Sequence, residues 1–411
     1  MNNEKDPFDR SFDSLESLAD TISEQLHCPV TIEDANHRLI AYSSHDPQTD
    51  PARIATIIGR RVPEKVISAL WQNGVIQNLM ESDEPVKVSA ITNVGLGNRL
   101  AIAIRKNNEI LGYIWVLEVA AQQDLAIKQL TRAAQAAKTK LLQLQIKKRK
   151  EEQGHQDFFW QLLTGHLKSD AVIKEKVEKL GIILPSSFHV IVLQFESEIT
   201  DKVYQQIQYM ITTTQQARIV FYVIHNNQLV LLSAPMQQRV AHGSNHYTEV
   251  FLYLTQQMKK RFGSAPVMGG GGSLYEDYSL VEKSYQEALT VIQIRKQFPE
   301  ETSSIYDYSH LGYYRFLPLI LEEKRNHHLE NECLQKLKRY DQEHNCNLLH
   351  TLEIYLYNDS NVKEAADILH VHTNSLNYRL KRISEIGDID LKDMNQKVTL
   401  YLELKTEKLR K

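Results

Sequence analysis

Between Ser14 and Leu26 the apolar residues Leu15, Leu18, Ala19, Ile22 and Leu26 recur at the spacing of one helix face. PVTIEDANHRLIAYS then alternates as two strands around a turn at Asp34 to Asn36. After a helical stretch, EKVISALWQNG, the hairpin signal returns in NRLAIAIRKNNEILGYIWVLE. There Leu100, Ile102 and Ile104 alternate, Asn107-Asn108 supplies the turn, and a second run passes through Ile114, Val116 and Val119. The pattern predicts an α+β domain over residues 1–120.

From Gln122 to Gln153 there is no Gly or Pro, and Ile127, Leu130, Ala134, Ala137, Leu141 and Leu144 step by threes and fours. This predicts a helical linker over 121–165 whose seam serves as a dimerising coiled coil. A core helix packed on one domain is the alternative. The basic run KKRK at 147–150 is expected to be a solvated helix face.

FHVIVLQFE (188–196) reads as a strand and is followed by a helical stripe of Val203, Ile207, Met210 and Ile211. IVFYVIHNNQLVLLSA reads as a hairpin turning at Asn226-Asn227. A helix from Glu249 to Arg261 leads through VMGGGGS, expected to bend flexibly, into a helix from Ser279 to Arg295. The order β, α, β, β, α, β, α predicts a second α+β domain over 166–303, and 304–411 reads as helix almost throughout.

Within this last section, NVKEAADILHVHTNSLNYRLKRISEI (361–386) has the form of two short helices on a tight turn. Asn361 with Glu364 three residues on is a capping-box start, and Val362, Ala365, Ala366 and Leu369 form the inner face. Thr373 is the expected cap of the second helix, which turns Leu376, Leu380 and Ile383 inward. Thr373, Asn374, Asn377, Tyr378, Lys381 and Arg382 are left outward. Asn pairs with adenine edges and Arg or Lys holds phosphates, so such a face suits the major groove. His370 stands where such turns commonly hold Gly at positive φ, a conformation histidine tolerates better than most residues. A helical hairpin without DNA is the plainer alternative.

Composition narrows the partners. The 411 residues are 42% hydrophobic and 24% charged, with a net charge of -3, which fits several folded domains and confines any nucleic-acid contact to a local patch. The motif itself carries Lys363, Arg379, Lys381 and Arg382 against Glu364, Asp367 and Glu385, so one copy is expected to bind weakly and two copies well. Neither a targeting segment nor a bilayer-spanning run is expected, which points to the cytoplasm. Cys28, Cys333 and Cys346 are far apart and form no C-x-x-C pair, so free thiols are expected.

HVHTNSLNYRLKRISEIGDIDL resembles the C-terminal Fis-type helix-turn-helix of the purine-catabolism and sugar-diacid regulator family. The usual H-x-N-T-L-x-Y-R-L appears as His372, Asn374, Ser375, Leu376, Tyr378, Arg379 and Leu380, with Thr373 where an arginine is frequent. The resemblance implies contacts to DNA from His372, Thr373, Asn374, Asn377, Tyr378, Arg379, Lys381 and Arg382. It also implies a middle domain like a degenerate diguanylate cyclase, in which His225, Asn226, Asn227 and Gln228 replace the acidic G-G-D/E-E-F turn. Without a carboxylate there to hold Mg²⁺, that domain is expected to be a scaffold. The first domain is similar to GAF or PAS sensory domains, and the chain resembles Bacillus-type proline-responsive activators.

Other candidate chemistry is weaker. Gly269 to Gly272 is not followed by the Lys-Ser or Lys-Thr of a phosphate loop. His242 and His246 flank Gly243 and lack a carboxylate at zinc-protease spacing, and His370 with His372 is read as turn chemistry. An effector cleft in the first domain has candidates in Tyr42, Ser43, Arg60, Arg61, Asn98 and Arg99, because an arginine pairs with an effector's carboxylate. Solvated or structural arginines are the alternative.

The expectation is a multidomain α+β, effector-responsive regulator of a catabolic operon, proline utilisation being the pathway the resemblance implies. It is expected to act as a homodimer on double-stranded operator DNA, with RNA polymerase as a further partner. No catalytic residue, metal or cofactor is expected. The rival readings are a nucleotide-processing enzyme with an accessory helical domain, and an interaction adaptor without salt-dependent DNA affinity.

Overall fold

The computed structural model describes residues 7–409 apart from 44–48, 108, 118–122, 216, 236–245, 264–265, 267 and 328–329. Asn108 and His242 therefore lie outside the described residues, as does the side chain of His246. The chain divides into two compact units, Met1–Ala288 and Leu289–Lys411.

The first unit begins with α1 (Leu15–Leu26), capped by the Ser14 side chain, which accepts from the Ser17 amide. Then come β1 (Val30–Asp34), β2 (Leu39–Tyr42), α2 (Pro51–Gly59), α3 (Glu64–Gln72), α4 (Val75–Glu81), β3 (Val86–Val88), β4 (Arg99–Lys106) and β5 (Glu109–Leu117). The strands form an antiparallel sheet in the order β2-β1-β5-β4-β3. Alternation along β4 and β5 makes it two-sided. Leu100, Ile102, Ile104, Ile114 and Val116 face α1 and the helix after β5, while Ala101, Ala103, Tyr113 and Trp115 face α2 to α4. The first hairpin turns as its polar residues dictate: the Asp34 carboxylate accepts from the amides of Asn36 and Arg38, both at 2.9 Å.

The next helix, α5 (Gln123–Leu163), has 41 residues and is longer than its apolar stripe alone suggests. It corrects the expected coiled coil: Leu130, Ala134, Ala137 and Leu141 are buried in the core against α1 and the first sheet. Its seam is thus used within the chain, with Ile127 only half-buried and Leu144 exposed. A helical stripe reports that something covers it but not what, and here the chain's own sheet is the nearer partner. The KKRK run behaves largely as a surface face, with Lys148 3.2 Å from Asp34 and Arg149 paired with Glu109.

Farther along α5, Phe158, Phe159, Leu162 and Leu163 are buried, and Phe158 and Phe159 pack their rings against Phe221 of a second sheet. That sheet follows α6 (Asp170–Lys179) and comprises β6 (His189–Gln194), β7 (Arg218–His225), β8 (Gln228–Ala234) and β9 (Met268–Gly271). Its order is β7-β8-β6-β9, with α7 (Asp201–Thr213), α8 (His246–Phe262) and α9 (Val281–Gln297) as its helices. The β, α, β, β, α, β, α succession is the expected one, and Asn226 turns the hairpin at φ 53°. The glycine run departs from the expected flexible bend: it is strand β9, paired with β6. A Cβ on Gly269 would lie 2.3 Å from the Phe251 ring and one on Gly272 2.0 Å from the Ser284 carbonyl oxygen. Close helix approach, rather than strand propensity, thus requires glycine there.

The two sheet layers of this unit meet through buried polar groups. The Tyr209 hydroxyl accepts from Trp71 Nε1 at 3.1 Å and lies 2.8 Å from His37 Nε2, whose ring stacks on Tyr113. Glu33 accepts from Trp115 Nε1 at 3.0 Å and lies 3.1 Å from His37 Nδ1, and Glu64 accepts from the Gln215 amide at 2.8 Å.

The second unit begins at Leu289, inside α9. Val291, Ile294 and Phe298 pack with Leu311, Tyr314 and Leu317 because one continuous helix serves two cores, and its periodicity contains no break to mark the change. The remaining helices are α10 (Pro299–Thr302), α11 (Leu317–His327), α12 (Glu332–His344), α13 (Leu348–Tyr357), α14 (Val362–Ile368), α15 (Thr373–Gly387) and α16 (Met394–Lys408). Leu337, Leu352, Ala365, Ala366, Leu376, Leu380, Ile383 and Leu404 share their core. No described helix is long and apolar enough to cross a membrane.

Candidate nucleic-acid interface

The candidate helix-turn-helix is built from α14, a turn and α15. The Asn361 side chain accepts from the amides of Lys363 and Glu364, at 3.0 and 3.4 Å, and so satisfies donors that the helix start leaves open. Asn361→Ala is expected to lower stability by about 1 kcal/mol in denaturant unfolding of the second unit, and an unchanged midpoint would refute the cap's role.

Ala365 and Ala366 are fully buried, which lets α15 cross close to α14. His370 holds the turn at φ 53°, as expected for a position that favours glycine, and the Val371 amide donates to the Ala366 carbonyl at 3.0 Å. One expectation is corrected here. His372, not Thr373, caps α15, its Nδ1 accepting from the Asn374 amide at 3.2 Å. An imidazole nitrogen can accept there, so His372 has a structural task at the start of α15.

Leu376, Leu380 and Ile383 anchor α15 in the core. The opposite face presents Asn374, Asn377, Tyr378 and Lys381 to solvent, and Tyr378 is 72% exposed despite its size. Thr373, Arg379 and Arg382 are half-buried at its edges. Asn374, Ser375, Tyr378, Arg379 and Arg382 form one wall of a notch of about 500 Å³, and Tyr340, Cys346 and Leu348 form the other. The eight residues expected to read DNA are therefore gathered on one helix and its cap.

The expected effector residues are less unified. Ser43 is buried, its Oγ accepting from the Val30 amide at 2.9 Å, and Asn98 Oδ1 accepts from the Ala90 amide at 2.9 Å. Both are engaged in holding backbone. Arg99 donates to both Asp50 oxygens, at 2.8 and 2.7 Å. Tyr42 ends β2, within electrostatic reach of Arg53. Arg60 and Arg61 lie beyond the other end of α2, where Arg60 is an exposed left-handed cap and Arg61 bridges to Arg38. Arg61 Nε and Nη2 are buried and find no hydrogen-bond partner among the described residues.

Sequence reasoning missed Arg53 and Asp50. Arg53 is 2% exposed and donates to the carbonyls of Val30 and Ser43, at 2.8 and 3.2 Å. Burial, reinforced by the neighbouring Arg99 charge, pushes its guanidinium down to about 10, so it stays charged at neutral pH. The Arg53 amide also donates to Asp50 at 2.7 Å, so one carboxylate joins the Arg99 guanidinium to the start of α2. Burial pushes the Asp50 carboxyl up, but the Arg99 charge and hydrogen bonds, with the amides of Arg53 and Gly97, hold it below its ordinary value. A lowered carboxyl contributes stability above its unfolded value of about 4, and that contribution is lost as pH falls through the lower folded value. Asp50→Asn is expected to cost about 2 kcal/mol in the first unit at neutral pH and to remove this acid-side dependence. Parallel stability curves for variant and parent across this pH range would refute it.

Sequence comparison decides what kind of molecule this geometry belongs to. The chain is 45% identical over 403 residues to the DNA-binding transcriptional activator AdeR of Bacillus subtilis (strain 168), covering 97% of this chain and 94% of that protein. The chain belongs to the purine-catabolism and sugar-diacid regulator family. A second member, the proline-responsive transcriptional activator PutR of the same organism, is 30% identical over 96% of each chain. The carbohydrate diacid regulator of Escherichia coli (strain K12) is 28% identical over 207 residues, 50% of this chain and 52% of that protein. Within the family, the PucR C-terminal helix-turn-helix domain matches residues 348–406, and a GGDEF-like domain matches 164–294. The matched helix-turn-helix span contains the α14–α15 pair described above. Its GGDEF-like segment holds the second sheet, with His225, Asn226, Asn227 and Gln228 at the β7–β8 turn. Among the described residues no group of three or more His, Cys, Asp or Glu is placed to hold a metal ion.

Proposed function

We propose that the chain is an effector-responsive, sequence-specific DNA-binding transcriptional activator of a catabolic operon, and not an enzyme. The observation that carries this reading is the outward face of α15, an amide-rich N-terminal half continued by Lys381 and Arg382, on a helix-turn-helix of the regulator family. The near-neutral charge of one copy supports a homodimer on a two-part operator, since a second reader multiplies a weak affinity. RNA polymerase is the further partner expected of an activator, and a cytoplasmic location is in keeping with an operator as target.

The first sheet with its helices on both faces is read as a GAF/PAS-like sensor, and the second as a cyclase-like scaffold whose turn lacks carboxylates. The excess of guanidinium over carboxylate at Arg53, Arg99 and Asp50 suits an effector with an acidic group. PutR is proline-responsive by name, which makes proline the first effector to test. An effector acts by favouring one of two arrangements, and the polar contacts of Tyr209 with Trp71 and His37 would pass a change in α3 to α7.

Genomic footprinting of the intact chain, with and without proline and other amino acids, tests this reading. Protected paired half-sites upstream of catabolic genes, with occupancy or transcription shifted by an effector, are expected. Uniform protection without selective sites would overturn it.

A further inference from the structure

Arg382 is the most C-terminal side chain in the wall of the notch beside α15, and it is held from outside the helix-turn-helix. Its Nε and Nη2 both donate to the Tyr340 hydroxyl at 3.4 Å, and Nη1 donates to Glu385 at 3.1 Å. The guanidinium carbon also sits 5.3 Å from the Tyr340 ring centroid, in cation–π range. Tyr340 is itself fixed. Its ring stacks on His344 at 4.0 Å and 16°, while α12 is anchored by Leu334 and Leu337 in the core shared with α15.

A guanidinium has five N–H donors. Three are engaged by Tyr340 and Glu385, which, among the described residues, leaves one hydrogen on each terminal nitrogen. An unbraced arginine on a helix surface samples many rotamers, and holding one costs affinity when a ligand arrives. Bracing from α12 removes that cost before DNA is met. The notch opens along the edge of the exposed face of Asn374, Asn377 and Tyr378, where the backbone beside an occupied groove would pass.

We infer that Tyr340 is a positioning residue of the DNA reader: it holds Arg382 at the notch so that the free edge of the guanidinium meets a backbone phosphate flanking the groove that receives α15. The reader thereby extends to α12, outside the matched residues 348–406. This inference rests on the DNA-binding reading above.

The test is a double-mutant cycle on the intact chain, using a footprinted operator duplex. Arg382→Ala is expected to reduce the slope of log affinity against log salt by about 0.9, one phosphate. Tyr340→Phe keeps the ring and removes the hydroxyl, so about fivefold weaker binding is expected, with an unchanged melting temperature. In the Arg382→Ala background, Tyr340→Phe is expected to change nothing further. A hydroxyl that served the fold alone would weaken both backgrounds equally, and that additivity overturns the inference, as does an unaffected Tyr340→Phe. If the parent binds selectively and Arg379→Ala weakens it while Tyr340→Phe does not, only the bracing fails. If the parent shows no selective binding, both readings fail.

Discussion

Lys405→Ala is expected to destabilise the second unit by about 4 kcal/mol, more than any surface substitution on the reader. Lys405 is 1% exposed and donates to both oxygens of Glu301, at 2.7 and 2.6 Å. Its ammonium lies 4.8 Å from the Tyr357 ring centroid, 5.4 Å from that of Tyr401 and 5.5 Å from that of Phe298. Truncation removes the cation from three ring faces, leaves the carboxylate supported chiefly by the Tyr314 hydroxyl, and opens a void in place of the four-carbon stem.

Lys405→Met separates these effects, since it fills the stem's space without the charge, and it is expected to fall between parent and Ala. Denaturant unfolding followed in the second unit measures both. A loss below about 1 kcal/mol for the alanine variant would show that the ammonium contributes little beyond its hydration.

Much of the fold was legible because it is local. Alternation along β4 and β5 marked the face of the first sheet that α1 and α5 cover, and turn chemistry located the bends at Asn107 and Asn226 and the positive φ of His370. The outward face of α15 was legible for the same reason: Leu376, Leu380 and Ile383 fix the rotation of the helix, so Asn374, Asn377, Tyr378 and Lys381 face out. What failed was knowledge of what covers a stripe. Leu130, Ala134, Ala137 and Leu141 have the spacing of a dimer seam, yet the chain's own sheet buries them.

Buried polar partners were equally invisible. Arg53 reaches the carbonyl of Val30, Tyr340 braces Arg382 and Lys405 finds Glu301, pairs separated by 23, 42 and 104 positions. No periodicity encodes such pairs. The effector candidates show the same limit, since Arg99 was chosen for its charge while its carboxylate partner Asp50 and its neighbour Arg53 were passed over.

Under the proposed function, α15 reads DNA through its outward face. Asn374 is exposed near the helix start and Arg379 lines the notch, and neither is part of the hydrophobic core that folds the unit. A base contact and a phosphate contact differ in their salt dependence, so one titration series separates them. The decisive measurement is the affinity of parent, Asn374→Ala and Arg379→Ala for an operator and for a scrambled duplex, across a range of salt. Asn374→Ala is expected to lose about 1–3 kcal/mol on the operator and little on the scrambled duplex. Arg379→Ala is expected to weaken both, with a shallower salt slope. Folded variants that bind both duplexes as the parent does would contradict the claim.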